Sequence, residues 1–205
     1  MVKALLVCVY LLAAAAVPVS PPAPFSGCIV YEHEYQTLAG DQLYFAVKPK
    51  SWFYVQGNNL KVYDRNKQLQ ELYLGAANEY HYYEKGIMGP RIAALRPAAG
   101  AGAVTRTCLP TTATILGYPC QVLQLVQDGT STLVFYSPAL RVNAADFSRC
   151  SSPGWYTLLQ ATDGALPLRT ITVDVRRDIT ARSEAIEVQP LALAAAEFTP
   201  TAPAR

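Results

Sequence analysis

The sequence predicts a mainly β protein with a minor helical part, built on one antiparallel sheet. Short segments alternate apolar and polar residues with the period of a strand, and turn dipeptides or prolines separate them at short intervals. The second half adds one or two short helical segments. With 205 residues, 51% of them apolar and 16% charged, the chain can form one domain with a substantial core. We predict a single domain over residues 25–200 and a disordered tail at 201–205.

Residues 1–20 have the pattern of a signal peptide and leader. Lys3 gives a short positive start, residues 4–16 are apolar and end in small alanines, and Pro18 follows. The apolar run of about 13 residues is shorter than the roughly 20 that a membrane-spanning helix needs. We therefore predict export to the periplasm or the cell exterior, with no transmembrane segment left after cleavage.

The remaining charges give no reason to expect a nucleic-acid partner. Without Lys3, the 17 Lys and Arg become 16, against 15 Asp and Glu, so the net charge is +1. The sequence also has no basic cluster that would bind a polyanion.

Four cysteines follow the leader, and an even number in an exported chain favours disulfides. Three connectivities are open, and the shortest link joins Cys108 to Cys120 across a corner segment, which leaves Cys28 with Cys150. None of the spacings is C-x-x-C, so the sequence predicts no zinc site.

The first half reads as a meander of short strands. Residues 27–38 alternate Ile29, Tyr31, His33 and Tyr35 with polar neighbours, as a half-buried strand does. Turn residues separate it from further predicted strands at 42–47, 52–56, 60–63, 68–74 and 79–84. Residues 86–102 are rich in Gly, Pro and Ala and are predicted to be a loop, followed by a strand at 104–107.

Residues 112–137 predict a β-hairpin, entered through a glycine-proline corner. Asp128-Gly129 suits a tight type I′ turn, so Gln127 should lie opposite Thr130. Both faces of this hairpin then carry apolar side chains, which predicts that it is covered on both sides.

After the hairpin the sequence predicts a short turn at 143–148, capped by Asn143, and a short helix at 154–162. This helix should place Trp155, Leu158 and Leu159 on the sheet. A strand at 168–175 should point Ile171, Val173 and Val175 inward and Thr170, Thr172 and Asp174 outward. A last long strand at 180–188 and a helical turn at 191–198 complete the domain.

Several short motifs resemble a known group of exported proteins. They are Ile115-Leu116-Gly117-Tyr118-x-Cys120, Phe135-Tyr136-Ser137-Pro138-Ala139-Leu140, Gly164-x-Leu166-Pro167-Leu168 and Glu197-Phe198-x-x-Pro200. Their order resembles bacterial exported families of unknown function akin to GLPGLI-type proteins. The resemblance implies a LolA-like (lipoprotein-carrier-like) half-barrel, in which a curved antiparallel sheet wraps around one or two helices. It implies no catalytic residues.

The sequence points to no catalytic site, metal site or cofactor. On a strand, Glu32 and Glu34 face away from His33, so the three cannot hold one metal. A catalytic role for His81 would need a nucleophile and an orienting carboxylate, which the sequence cannot position. Ser137 and Ser183 lack a nucleophile-elbow motif. We therefore predict that the protein is not an enzyme.

Two functions follow as hypotheses. The first is binding of a hydrophobic or amphipathic ligand, lipid-like or lipoprotein-like, in the concave face of the sheet. The second is an envelope or surface interaction module that binds a protein or a glycan through a tyrosine-rich face. That face would use the aromatic residues Tyr31, Tyr35, Tyr44, Trp52, Tyr54, Tyr63, Tyr73, Tyr80, Tyr82 and Tyr83.

Overall fold

In the part of the chain that it describes, the computed structural model has one open antiparallel sheet of eleven strands. It describes residues 23–43, 49–83, 91–93, 103–150, 152 and 154–200. The strands are β1 Gly27–Gln36, β2 Lys50–Gln56, β3 Asn59–Tyr63, β4 Leu69–Leu74, β5 Glu79–Tyr82, β6 Arg91–Ala93, β7 Thr105–Ile115, β8 Tyr118–Gln127, β9 Thr130–Arg141, β10 Ala165–Asp174 and β11 Ile179–Pro190.

The sheet consists of two meanders, which are joined where the first strand of the chain pairs with the last. The spatial order is β6-β5-β4-β3-β2-β1-β11-β10-β9-β8-β7, so the first strand pairs with the last. In the described ranges, one helix, α1 at Trp155–Ala161, and two short 3-10 helices at Ala144–Phe147 and Ala195–Phe198 accompany the strands. The predicted fold class, a mainly β antiparallel sheet with few short helices, is confirmed.

The hairpin of β8 and β9 has the predicted turn. Gln127 pairs with Thr130, and the two turn residues have positive φ angles, 48° at Asp128 and 80° at Gly129. The predicted corner before it is a second tight turn, because Ile115 pairs with Tyr118 around Leu116-Gly117. The strand predicted at 104–107 therefore continues as β7 to Ile115.

Some predictions fall on residues that the structure does not describe. These are the leader at 1–20, the tail at 201–205, most of the strand predicted at 42–47 and most of the loop predicted at 86–102. Within that loop, residues 91–93 form the short strand β6, which the sequence did not indicate.

The helix α1 lies where the sequence predicted it and ends at Ala161, just before Asp163-Gly164. Trp155 contacts Phe53 of β2 at 4.9 Å between ring centroids, and Leu158 packs against the core cluster to which Leu123 of β8 belongs. In the sheet order, β2 and β8 are five strand spacings apart, about 24 Å across a flat sheet. A seven-residue helix is only about 10 Å long, so the sheet must curl around α1. We call the face that carries α1 the inner face and the opposite one the outer face.

On the outer face the C-terminal 3-10 helix is held by a buried lysine. Lys61 is 7% exposed, and its ammonium group donates a hydrogen bond to the Glu197 carbonyl oxygen at 3.0 Å. The rings of Tyr54, Tyr63 and Phe198 surround it, with centroids 5.0, 5.6 and 5.1 Å from Nζ. These cation–π contacts compensate for the lost hydration of the lysine and fix the end of the domain to β2 and β3.

The four cysteines are free thiols, which differs from the predicted disulfides. Cys120 pairs with Ala113, five residues along β7 from Cys108, so the two lie on the order of 13 Å apart, beyond disulfide reach. Cys28 shares the outer face with its cross-strand partner Tyr54, whereas Cys150 belongs to the inner core. Cys28 and Cys150 therefore lie on opposite faces of the sheet and cannot form a disulfide with each other.

This arrangement predicts one fast-reacting thiol among the four. Cys108 is exposed, while burial raises the pKa of the Cys28 and Cys120 thiols and raises that of Cys150 to about 12. Because the thiolate is the reactive form, a disulfide-exchange reagent should modify one thiol rapidly in the folded chain without its leader, and four after unfolding. A Cys108→Ser variant should lose the rapid phase. Recovery of folded protein with no titratable thiol would contradict the structure.

Candidate functional site

The inner face contains a cavity beside α1, at the end of the sheet where the β8–β9 and β10–β11 turns lie. Its volume is about 740 Å³, which lies within the range typical of small-molecule sites. Strands β8, β9 and β10 form its base, and α1 forms one side. The curl of the sheet around a short helix creates this space, because α1 covers only part of the inner face.

One side of the cavity is an apolar wall made by Leu125, Trp155 and Leu158. Trp155 and Leu158 are three residues apart on α1 and therefore point the same way. All three are only half-buried, so each has apolar surface left for a ligand. The indole N–H of Trp155 is buried and has no hydrogen-bond partner among the described residues.

The base of the cavity is a hydroxyl floor made by Thr132, Thr170 and Thr172. Thr132 and Thr172 are cross-strand partners on β9 and β10, and their hydroxyl oxygens lie 3.0 Å apart. The sequence assigned Thr170 and Thr172 to the outside of the sheet, and this was wrong.

The apolar residues of the strand predicted at 168–175 also differ from the prediction, and β10 ends one residue earlier, at Asp174. Val175, predicted to point inward, is 66% exposed, and Ile171 lines an outer groove with Arg182. The register of β10 with β9 decides which side chains face α1, and alternation within one strand cannot reveal it. Because the sequence assigned Thr170, Thr172 and Asp174 to the outer face, it did not predict the polar part of the cavity.

The mouth of the cavity is polar and is lined by Gln127, Asp128, Asp174 and Arg177. The Asp174 carboxylate accepts hydrogen bonds from the backbone N–H groups of Arg176 and Arg177, at 3.0 and 3.1 Å. Its second oxygen lies 3.6 Å from the Arg177 guanidinium. These bonds order the β10–β11 turn and hold the carboxylate of Asp174 beside the guanidinium of Arg177 at the entrance.

His33 lies on the inner face but does not line this cavity. Its two ring nitrogens are each 2.8 Å from a serine hydroxyl, Ser183 on β11 and Ser51 on β2. Burial lowers the pKa of His33, which favours a neutral ring that donates to one serine and accepts from the other. The imidazole thus links three strands. Sequence reasoning missed this link because the serines are 18 and 150 residues away.

His81 is far from His33 in the sheet order, on β5. It is 3% exposed, and its Nε2 is 2.9 Å from a Glu79 carboxylate oxygen. Within the described ranges, no three His, Cys, Asp or Glu side chains come together as a metal site. In the same ranges, no helix has the length and apolar character of a membrane span.

The predicted tyrosine-rich face is mostly used for packing. Of the described tyrosines, only Tyr35 is more than a third exposed, at 37%. Tyr73 and Tyr80 are buried in the inner core, and Tyr54 and Tyr63 surround Lys61. Tyr44 lies outside the described residues.

Comparisons with known proteins bear on the fold. No family model matches the sequence, and no curated protein matches it. A structure of PNGF-II in space group C2 matches with a TM-score of 0.50 and 12% identity, over 84% of this chain and 29% of that one. A LolA superfamily protein from Nitrosomonas europaea matches with a TM-score of 0.42 and 12% identity, over 86% and 91% of the two chains. MucB matches with a TM-score of 0.41 and 10% identity, over 87% and 58%.

At 12% identity, the match to PNGF-II shows a shared fold alone, and the chain spans less than a third of PNGF-II. The curved antiparallel sheet around a helix, which the LolA-like resemblance implied, is present in the structure itself. Membership of a GLPGLI-type family stays a prediction. The chain is therefore a domain with one sheet, and its fold recurs within PNGF-II. Its inner face has a cavity with an apolar wall, a hydroxyl floor and a polar mouth.

Proposed function

We propose that this protein is an exported, non-enzymatic domain that binds an amphipathic ligand in the inner-face cavity. The observation that carries the proposal is the cavity of about 740 Å³ with an apolar wall and a polar mouth. A lipid-like or lipoprotein-like chain would lie against the wall and gain roughly 0.8 kcal/mol for each CH₂ group it buries. Export rests on the leader predicted at residues 1–20, and the ligand would be met in the periplasm or outside the cell.

The alternative, an interaction module with a tyrosine-rich face, has less support. It needs a contiguous exposed aromatic patch, and ten of the eleven described tyrosines are buried or half-buried. The cavity is a more specific feature, since it brings wall, floor and mouth together from three strands and a helix.

A substitution that fills the cavity tests the proposal. Thr132→Trp should weaken binding of the uncharged fluorescent probe N-phenyl-1-naphthylamine by about tenfold or more, because the indole occupies the space above the hydroxyl floor. Fluorescence titration of the purified protein measures the affinity.

The matched control is Thr107→Trp on the exposed strand β7, outside the cavity lining. It should bind the probe as the unsubstituted protein does, and circular dichroism should show both variants folded. Equal probe affinity in the unsubstituted protein and in Thr132→Trp would place the probe elsewhere and remove the main support for the proposal.

A further inference from the structure

We propose that the polar end of the ligand is an uncharged polyhydroxyl group, such as a saccharide, held at the mouth of the cavity. This inference rests on the proposed function and adds the chemical class of the headgroup. Three features of the site carry it: the charges at the mouth, the row of hydroxyl groups leading inward, and the aromatic wall.

The charges at the mouth disfavour an ionic headgroup. Two carboxylates, Asp128 and Asp174, and one guanidinium, Arg177, line it. A second guanidinium, that of Arg176, lies against Gly129 beside Asp128, with its Nε 3.2 Å from where a Cβ of that glycine would be. The charges at the mouth therefore balance, and neither an anionic nor a cationic headgroup would meet an excess of opposite charge. Because desolvating an ion is costly without a dedicated partner, a neutral group that only forms hydrogen bonds fits this entrance better.

A hydroxyl-rich group matches the mixture of donors and acceptors. Carboxylate oxygens only accept and a guanidinium only donates, whereas threonine hydroxyls and the Gln127 amide do both. Because a hydroxyl group both donates and accepts, the hydroxyl groups of a ligand could form a hydrogen bond with each type of side chain named here. The row continues inward along β9 and β10, since Thr130 pairs with Asp174 and Thr132 with Thr172.

The aromatic wall suits the ring faces of a saccharide. Trp155 is half-buried, and its ring packs against the ring of Phe53 at 4.9 Å between centroids. This contact limits the rotation of the indole. The C–H groups on one face of a sugar ring can pack against an indole face, whose electron-rich surface favours them. The same wall continues to Leu158 and Leu125, where an attached alkyl chain would lie.

The experiment compares three amphiphiles that share a twelve-carbon chain. Dodecyl maltoside, dodecyl phosphocholine and dodecanoate, each below its critical micelle concentration, compete with N-phenyl-1-naphthylamine for the purified protein. We expect the maltoside to bind about tenfold tighter than the phosphocholine, which has the same dodecyl chain. It should exceed dodecanoate by more than tenfold, because the alkyl chain of dodecanoate is one carbon shorter.

The outcomes separate this inference from the proposed function. Equal affinities, or tighter binding of dodecanoate or the phosphocholine, would overturn the polyhydroxyl headgroup and leave the amphiphile site intact. Failure of all three to displace a bound probe would overturn both.

A variant pair locates the headgroup. Asp174→Asn keeps a side-chain oxygen that can accept from the Arg176 and Arg177 N–H groups and removes the charge. It should weaken maltoside binding by about five- to tenfold and leave dodecanoate binding unweakened. Asp163→Asn, at an exposed ion pair with Arg141, is the matched control and should change neither. Equal loss for maltoside and dodecanoate in Asp174→Asn would contradict the assignment.

Discussion

Replacing Phe147 with alanine is expected to lower the free energy of unfolding by about 3–5 kcal/mol, the usual cost of truncating a buried phenylalanine. Phe147 is 0% exposed and packs in the inner core with Tyr73, at 5.9 Å between ring centroids, and with Leu159 of α1. Its 3-10 helix precedes α1 in the chain, so this side chain helps to anchor the helix that forms the cavity wall.

Urea denaturation monitored by circular dichroism measures the effect. Phe147→Leu, which keeps much of the volume, is the matched control and should cost less than about 1.5 kcal/mol. If both variants lost less than about 1 kcal/mol, the packing of this 3-10 helix against the sheet would be wrong.

Gly164→Ala is expected to destabilise the protein for two separable reasons. Gly164 has a φ of +81°, where an L-residue costs about 1–2 kcal/mol. A Cβ at this position would also lie 2.2 Å from the Val142 carbonyl oxygen, so the backbone must shift, at about 1–3 kcal/mol more. The close approach lets Val142 donate its N–H to the Gly164 carbonyl at 2.9 Å, which joins the end of β9 to the start of β10.

The chain supplies its own control for the conformational cost. Gly117 also has a φ of +81°, but a Cβ there would meet no atom within 4 Å. Gly117→Ala should therefore lose only the conformational part, and the difference between the two variants in urea denaturation gives the cost of the contact. Equal losses would mean that Val142 moves away without penalty.

Local chemistry made much of the fold predictable. The positive φ angles of Asp128-Gly129 lie where the dipeptide predicted a tight turn, and α1 stops where Asp163-Gly164 predicted its end. Asn143 caps the 3-10 helix as expected, with its side-chain oxygen accepting from the Ala145 N–H at 3.3 Å. Each of these features depends on a few neighbouring residues, so a single sequence is enough to indicate it.

The candidate site was predictable only as a concave apolar face. Its apolar wall includes Trp155 and Leu158, which the helical pattern at 154–162 had placed near the sheet. The hydroxyl floor was missed, since alternation predicted that Thr170 and Thr172 point outward and the structure places them in the cavity. A polar residue facing inward contradicts the usual rule for strands, and such exceptions are expected where a ligand binds.

By itself, the sequence determined the class of the fold, the positions of most strands along the chain and the positions of the tight turns, because those depend on local backbone preferences. Only the tertiary structure decided that β1 pairs with β11, that the sheet curls around α1 and that Cys108 and Cys120 are held apart. The first two features depend on elements distant in the chain, and the third on the register of β7 with β8. Register is a property of the assembled sheet, and no single strand carries the information that sets it.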